Sequence, residues 1–201
     1  MAIPFMKKIL TIILLVISCR AFAQQDSLKA YNASRVKITS NGMEVLGAWG
    51  IVNTFGSGVA WATSTTPQTR YFFQMNTVWG SVDFLTAILG YTGTQNNKNK
   101  KLTAAQTLHE QERIEKIFKI NSYLDVAYLG AGLYLTVEGG SRNSPIMKGY
   151  GESVLLQGSF LLIFDELMLH SEKTHGDKLR NFLEKHPISF DGRRVGIIFN
   201  M

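Results

Sequence analysis

The chain has 201 residues, of which 45% are apolar and 18% are charged, with 18 Gly, 12 Phe and a single Cys. This composition excludes a disordered chain, a collagen-like repeat and a small disulfide-linked scaffold. The formal net charge of +6 falls to +3 when the three basic residues of a predicted leader are left out, so it gives no argument for a nucleic-acid partner. We find no motif for a nucleotide, a metal ion or a catalytic nucleophile, which argues against a cofactor, a metal site and an enzyme.

The N-terminus has the features of a bacterial signal peptide. Two lysines precede an apolar run at 9–17, and Ala21-Phe22-Ala23 fits the small-x-small pattern of a cleavage site. We predict that residues 1–23 form a signal peptide that is cleaved after Ala23. In an alternative interpretation, residues 16–19 are a lipoprotein signal and Cys19 is lipidated. Cleavage after Ala23 leaves a mature chain without a thiol.

Four apolar segments follow, each 21 or 22 residues long, and as helices each can cross a hydrocarbon layer of about 30 Å. They are residues 42–63, 71–92, 117–137 and 149–169. Because polar connections separate them, they predict an all-α fold, a four-helix transmembrane up-and-down bundle over 41–170. An N-terminal arm at 24–40 precedes the bundle, and a soluble C-terminal tail at 171–201 follows it. The many small residues in the segments favour close helix packing in lipid.

Two rival folds fit less well. A soluble helical bundle needs an amphipathic shell around helices this apolar, and the mature chain is too short to supply one. An eight-stranded outer-membrane barrel suits the length and the export signal. However, residues 155–156 and 161–164 are continuous apolar runs, where strands that face lipid alternate apolar and polar residues.

The predicted spans carry polar residues at similar depths. The candidate intramembrane cluster is Asn53, Asn76, Asp83, Asn121, Asp125, Tyr128 and Gln157. An Asp at a helix centre costs about 2.5–3.5 kcal/mol on the insertion scale, so Asp83 and Asp125 are expected to face inward and to find partners. Asn121 lies one turn before Asp125, and Tyr128 three residues after it can supply a hydroxyl. No span interior contains a Lys or Arg, so a proton or a bound cation is the natural counter-charge.

The sequence also contains a possible internal repeat and four scattered histidines. The stretch from Trp49 to Asn53 aligns with that from Trp79 to Asp83, which pairs Asn53 with Asp83 as a possible internal repeat. Glu166 and His170 are four residues apart, but two ligands do not make a metal site. We expect the remaining histidines, His109, His175 and His186, to be exposed to solvent.

Helix boundaries and the tail also have sequence signals. Thr103 and Gln106 form a capping box, so a helix is predicted to begin there and to run into the third span. Residues 177–185 predict a short basic amphipathic helix of the kind that lies on a membrane surface. Residues 188–190 and 195–199 flank an Asp-Gly pair and predict a small hairpin.

Topology signals disagree. A cleaved signal starts the mature chain outside, and four spans return the tail to the outside. The positive-inside rule predicts the opposite orientation, because it places the side richer in Lys and Arg in the cytoplasm. The arm, the 93–116 loop with Lys119, and the tail together contain fifteen Lys and Arg residues. The other side contains three, Arg70, Arg142 and Lys148. We predict an orientation set by the signal peptide, in the inner membrane of a bacterium.

Several motifs resemble those of an uncharacterised bacterial four-helix membrane-protein family. They are Gly42-Met43-Glu44-Val45-Leu46-Gly47-x-Trp49, Met75-Asn76-x-x-Trp79, Asn121-x-x-Leu124-Asp125-x-x-Tyr128, Gly149-Tyr150-Gly151 and Leu156-Gln157-Gly158-x-Phe160-Leu161-x-Ile163-Phe164-Asp165. The resemblance covers 41–169 and implies the four-helix membrane fold but no activity. The residues favour a structural or accessory membrane subunit that contacts the bilayer and a second copy or another membrane protein. The alternative is a small ion- or proton-coupled carrier or channel that uses Asp83 and Asp125.

Overall fold

The computed structural model describes the backbone of residues 3–185, 188–190 and 195–197 and the side chains of residues 25–185. The helices are α1 (Ile3–Ile51), α2 (Ser57–Thr63), α3 (Pro67–Asn96), α4 (Ala104–Ser141) and α5 (Pro145–Lys185), with a π turn at Val52–Gly56 between α1 and α2. All four apolar segments are helical, which confirms the all-α prediction. Because the π turn joins α1 to α2 without a break, four long helices form the bundle.

Local chemistry fixes the helix ends. Thr66 caps α3 by accepting a hydrogen bond from the Thr69 backbone, and Pro67 occupies the first helical turn, where its missing N–H costs nothing. Thr103 and Gln106 form the predicted capping box at the start of α4. Between α4 and α5, Asn143 takes the left-handed backbone conformation with φ of 48°, which allows a tight reversal.

The bundle is built from two helical hairpins. α1 packs on α3, and α4 packs along α5, while α3 and α5 join the two pairs. α3 and α4 pack mainly on these neighbours, and the rings of Trp79 and Tyr128 meet between them. A cavity of about 700 Å³ lies between α3 and α4.

Beyond the predicted spans, the bundle continues as an extension of α1, α4 and α5. Its apolar core contains Leu28, Ala104, Leu179 and Leu183, each at most 4% exposed. Residues 24–40, predicted as an arm, belong to α1, and Leu28 and Val36 within them are buried.

The prediction of a separate amphipathic helix at 177–185 is wrong. These residues are the last turns of α5, which runs unbroken from Pro145 to Lys185. Their apolar side chains Leu179 and Leu183 are each 1% exposed and pack in the core of the extension. This apolar face is used inside the protein and is not free to lie on a membrane surface.

The predicted hairpin is present as two short strands. β1 (Ile188–Phe190) pairs antiparallel with β2 (Val195–Ile197), and Ser189 stands opposite Gly196. β1 lies beside α1. The Asp-Gly pair lies outside the described residues.

Judged by length and composition, one helix in the described part of the chain, α5, is apolar enough to cross a membrane. Half of its most apolar window is buried inside the bundle. The membrane location of the bundle stays a prediction.

Candidate functional site

The predicted polar residues form two separate groups rather than one. The first, the amide network, joins α1, α3 and α5 around Gln157, which is fully buried. Gln157 Nε2 donates to Asn53 Oδ1 at 3.0 Å and to Asn76 Oδ1 at 2.6 Å, and Trp49 Nε1 donates to Gln157 Oε1 at 2.8 Å. Both hydrogens of the Gln157 amide and its oxygen are therefore used.

The backbone completes the amide network. Asn53 donates to the carbonyl of Trp49 at 2.9 Å, and Asn76 donates to the carbonyl of Phe72 at 3.2 Å. Asn53 lies in the π turn, a local distortion that often occurs at functional positions. The amides of Asn53, Asn76 and Gln157 thus satisfy one another and the helix backbone. Such a network stabilises the packing of three helices.

Asp83, Asp125 and Asp165 form the second group, which we call the carboxyl cluster. The carboxyl groups of Asp125 and Asp165 lie within hydrogen-bond reach of each other, and Asn121 hydrogen-bonds Asp165. All three Asp residues are at most 4% exposed and line the cavity between α3 and α4. Within residues 25–185, Oδ2 of Asp83 and Oδ2 of Asp125 have no hydrogen-bond partner.

One expected contact is not made. The Tyr128 hydroxyl makes no hydrogen bond to Asp125 among the described side chains. Instead the Tyr128 ring packs edge-on against Trp79, with centroids 5.1 Å apart. Asn53 and Asp83, aligned as equivalent positions of a possible repeat, lie in different groups, since Asn53 bonds Gln157 in the amide network. Across the helix contact Asn53 faces Gly80, whose lack of a side chain lets α1 and α3 approach.

A third buried polar group lies in the extension and was not predicted. Glu172 is fully buried; its Oε1 accepts from Thr39 at 2.7 Å and its Oε2 accepts from Gln111 at 3.3 Å. Tyr31 donates to Gln111 Oε1 at 2.6 Å. Burial raises the pKa of Glu172, against the opposing effect of the hydrogen bonds from Thr39 and Gln111. The side chains responsible lie in stretches that look like solvated arm, loop and tail in the sequence.

Histidine positions differ from the expectation in one case. His109 is exposed as predicted, and His186 lies outside the described residues. His175, however, is 6% exposed and stacks on Tyr31 with ring centroids 4.0 Å apart. Its Nε2 lies 3.2 Å from the Tyr31 carbonyl oxygen, and burial lowers the pKa of His175. The polar neighbours of His175 in sequence hide the fact that it faces α1.

Sequence reasoning missed Asp165 because it lies near the end of the fourth apolar segment, where an acid can reach interfacial water. It also missed Trp49 as a hydrogen-bond donor. Neither Glu166 nor His170 contributes to a site, since both are exposed. Over the residues whose side chains the structure describes, no group of three or more His, Cys, Asp or Glu is arranged to hold a metal ion.

Comparison with known proteins identifies a family whose function is unknown. Residues 45–166 match the model of a family of unknown function, DUF6992. The match covers more than half of the chain, which therefore belongs to this family. No curated protein and no solved structure matches the chain.

Proposed function

We propose that this member of the DUF6992 family is a multi-pass membrane protein whose carboxyl cluster takes up positive charge, as in a small proton- or cation-coupled carrier. The observation that carries the proposal is the position of Asp83, Asp125 and Asp165 on the wall of an open cavity, with unpartnered buried oxygens on two of them. The proposal includes four spans in the bacterial inner membrane and a leader cleaved after Ala23.

The distribution of surface residues supports a membrane location. Apart from Ile146, the large apolar side chains that are exposed within residues 25–185 all lie in the four predicted spans. Examples are Phe55, Leu89, Leu133 and Ile163, each more than half exposed. The interior at the same level holds the amide network and the carboxyl cluster beside buried apolar side chains such as Met43, Phe118 and Phe164. A water-soluble bundle has the opposite arrangement, whereas a bundle in lipid buries its polar groups and exposes its apolar ones.

The carboxyl cluster requires a positive partner. The carboxylates of Asp125 and Asp165 lie within hydrogen-bond reach of each other and the charge of Asp83 also acts on Asp165, so in a medium of low dielectric the three repel one another, and each loses its hydration. The interiors of the predicted spans contain no Lys or Arg; Lys119 lies near the start of the third span, and Arg35 and Arg113 line another part of the cavity outside the spans. Protons, or a cation that enters the cavity, supply the missing positive charge. Binding and release of this proton or cation is the elementary step of a coupled carrier.

Protonation of the cluster is testable in lipid-reconstituted protein. We expect an infrared C=O band of protonated carboxyl groups at neutral pH, reduced in Asp83→Asn and in Asp125→Asn. Asp177→Asn is the matched control, because Asp177 is an exposed acid in the extension. In proteoliposomes loaded with a pH-sensitive dye, the wild type should move protons under an applied potential and Asp125→Asn should not. Equal proton movement by a folded Asp125→Asn variant rules out the carrier proposal.

A structural role is the second candidate, and the amide network favours it. Every polar atom of the Gln157 side chain is paired between helices, as in an element that holds an assembly together. In that case the chain is an accessory subunit that binds a second copy or another membrane protein. The variants Asp83→Asn and Asp125→Asn would then still act as an accessory subunit as long as the bundle stays folded.

A further inference from the structure

The cavity between α3 and α4 has a cationic end. Arg35 is 1% exposed and lines the cavity together with Thr94, Asn97 and Arg113. Within residues 25–185, Arg35 donates from Nη2 to Asn32 Oδ1 at 2.6 Å, and its Nε has no partner. None of the ion pairs in this part of the chain includes Arg35. A guanidinium has five N–H donors, so this buried side chain has capacity for an acceptor from outside the chain.

Arg113 adds a second positive charge at this end. It pairs with Glu110 on its own helix at 3.0 Å and is half exposed, so it can turn toward the cavity. Burial lowers the pKa of Arg35, and the charge of Arg113 adds to this effect, while Glu110 and Glu172 act in the opposite sense. Two guanidinium groups at one cavity end favour an anion that accepts several hydrogen bonds, such as a phosphate.

The rest of the cavity is suited to a hydrocarbon chain. Exposed side chains of Val82 and Leu89 on α3 and of Ile117 and Leu124 on α4 line its walls. The residues of α3 that line the cavity run from Trp79 to Thr94 and those of α4 run from Arg113 to Tyr128, and the rings of Trp79 and Tyr128 meet at the end away from the arginines. The 12 residues from Arg113 to Asp125 span roughly 18 Å of helix, close to the depth of one leaflet of a hydrocarbon core of about 30 Å.

We propose that this cavity binds an anionic phospholipid, with the phosphate on Arg35 and Arg113 and one acyl chain along the apolar walls. Charge complementarity at the arginine end and the apolar side chains on α3 and α4 select this ligand, while the carboxyl cluster lines another part of the same cavity. Inorganic phosphate shares the headgroup chemistry but cannot use the walls. The inference rests on the membrane location proposed above, and the lipid shares its cavity with the carboxyl cluster.

The test uses the purified full-length protein in a neutral detergent and follows its Tm by tryptophan fluorescence. Phosphatidylglycerol, phosphatidylcholine with the same chains, and inorganic phosphate are added separately. We expect phosphatidylglycerol to raise the Tm and the other two to leave it nearly unchanged. An equal shift with phosphatidylcholine overturns the headgroup assignment, and an equal shift with phosphate overturns the lipid assignment.

Single substitutions test which residues are needed for the rise in Tm with phosphatidylglycerol. Arg113→Gln should lose most of the phosphatidylglycerol shift, and Arg35→Gln should lose more. Arg142→Gln is the matched control, since Arg142 also pairs with a Glu of α4 but lies at the other end of the bundle. If Arg35→Gln does not fold, the exposed position of Arg113 keeps the test available. Thr86→Trp, which places a ring in the cavity, should also abolish the shift. A full shift in both Arg113→Gln and Thr86→Trp contradicts the proposal.

Discussion

Gly50 and Gly80 set the distance between α1 and α3. A Cβ atom added to Gly80 would lie 2.6 Å from the Asn53 Cβ and 2.8 Å from the Gly50 carbonyl oxygen. On the other hairpin, Gly132 and Gly151 allow a similar approach of α4 and α5. Small residues at helix crossings let backbones pack closely, and in the proposed membrane location this packing would be a main source of stability.

Gly80→Ala should therefore destabilise the bundle. The added methyl group meets backbone atoms that cannot move aside, and overpacking of this kind costs about 1–3 kcal/mol. The expected result is a lower Tm of the purified protein. Gly130→Ala is the control, because nothing lies within 4 Å of a Cβ at Gly130 and alanine is the better helix former. Similar Tm values for the two variants would show that the contact at Gly80 is looser than described.

His175 should make the stability of the extension depend on pH. Burial, with a contribution from Lys178 and Arg35, lowers its pKa below the ordinary value of 6.5. The unfolded chain then binds a proton more readily than the folded one, so the stability due to neutral His175 is present above pH 6.5 and is lost as the pH falls further. His175→Phe keeps the ring stack on Tyr31 but cannot titrate. Its Tm should fall less than that of the wild type on acidification below about pH 6.5, while His109→Phe should behave as the wild type does.

At the scale of the helices, Gln157 connects α1, α3 and α5. Gln157→Leu keeps the side-chain volume similar but leaves the Trp49 N–H and the oxygens of Asn53 and Asn76 without a partner. Each unpaired buried group costs about 1–3 kcal/mol, so we expect a large drop in Tm. Ser159→Leu, an exposed polar-to-apolar change on the same helix, should have little effect. A Tm for Gln157→Leu close to that of the wild type would remove the main support for the structural candidate.

The helices could be predicted from sequence, but their full lengths could not. Apolar segments of 21 or 22 residues and the capping box at Thr103 mark helix positions directly, since hydropathy and capping are local properties. The continuation of α5 to Lys185 depends on tertiary packing. Leu179 and Leu183 look like the apolar face of a surface helix until Leu28 and Ala104 are placed against them.

The same limit applies to the polar sites. Depth along each span correctly indicated that Asp83, Asp125 and Gln157 are buried. It could not tell which helices are neighbours, and that is what separates the amide network from the carboxyl cluster and brings Asp165 to Asp125. Arg35 was missed for a related reason, because a charged residue outside an apolar segment gives no sequence signal of burial.

On the scale of the whole molecule, the proposed membrane location gives the bundle two ends on opposite sides of a bilayer. Loops 64–66 and 142–144 lie at one end of the antiparallel helices, and loop 97–103 lies at the other. With a cleaved leader we expect the second end to be outside. In a Cys19→Ala background, Asn99→Cys should react with a membrane-impermeant thiol reagent in intact cells or spheroplasts, and Thr65→Cys only after permeabilisation. The reverse labelling would show that the positive-inside rule, and not the leader, sets the orientation.

The π turn at Val52–Gly56 has a consequence for how the chain can vary in length. A π turn holds one residue more than the α-helical path it replaces, so it takes up an extra residue without rotating the helix that follows it. Loss of one residue there would return the helix to a regular winding and would leave the buried Ser57 and the rest of α2 facing α3. Related chains that are one residue shorter at this point should therefore lack the π turn and present the same face of α2 to α3.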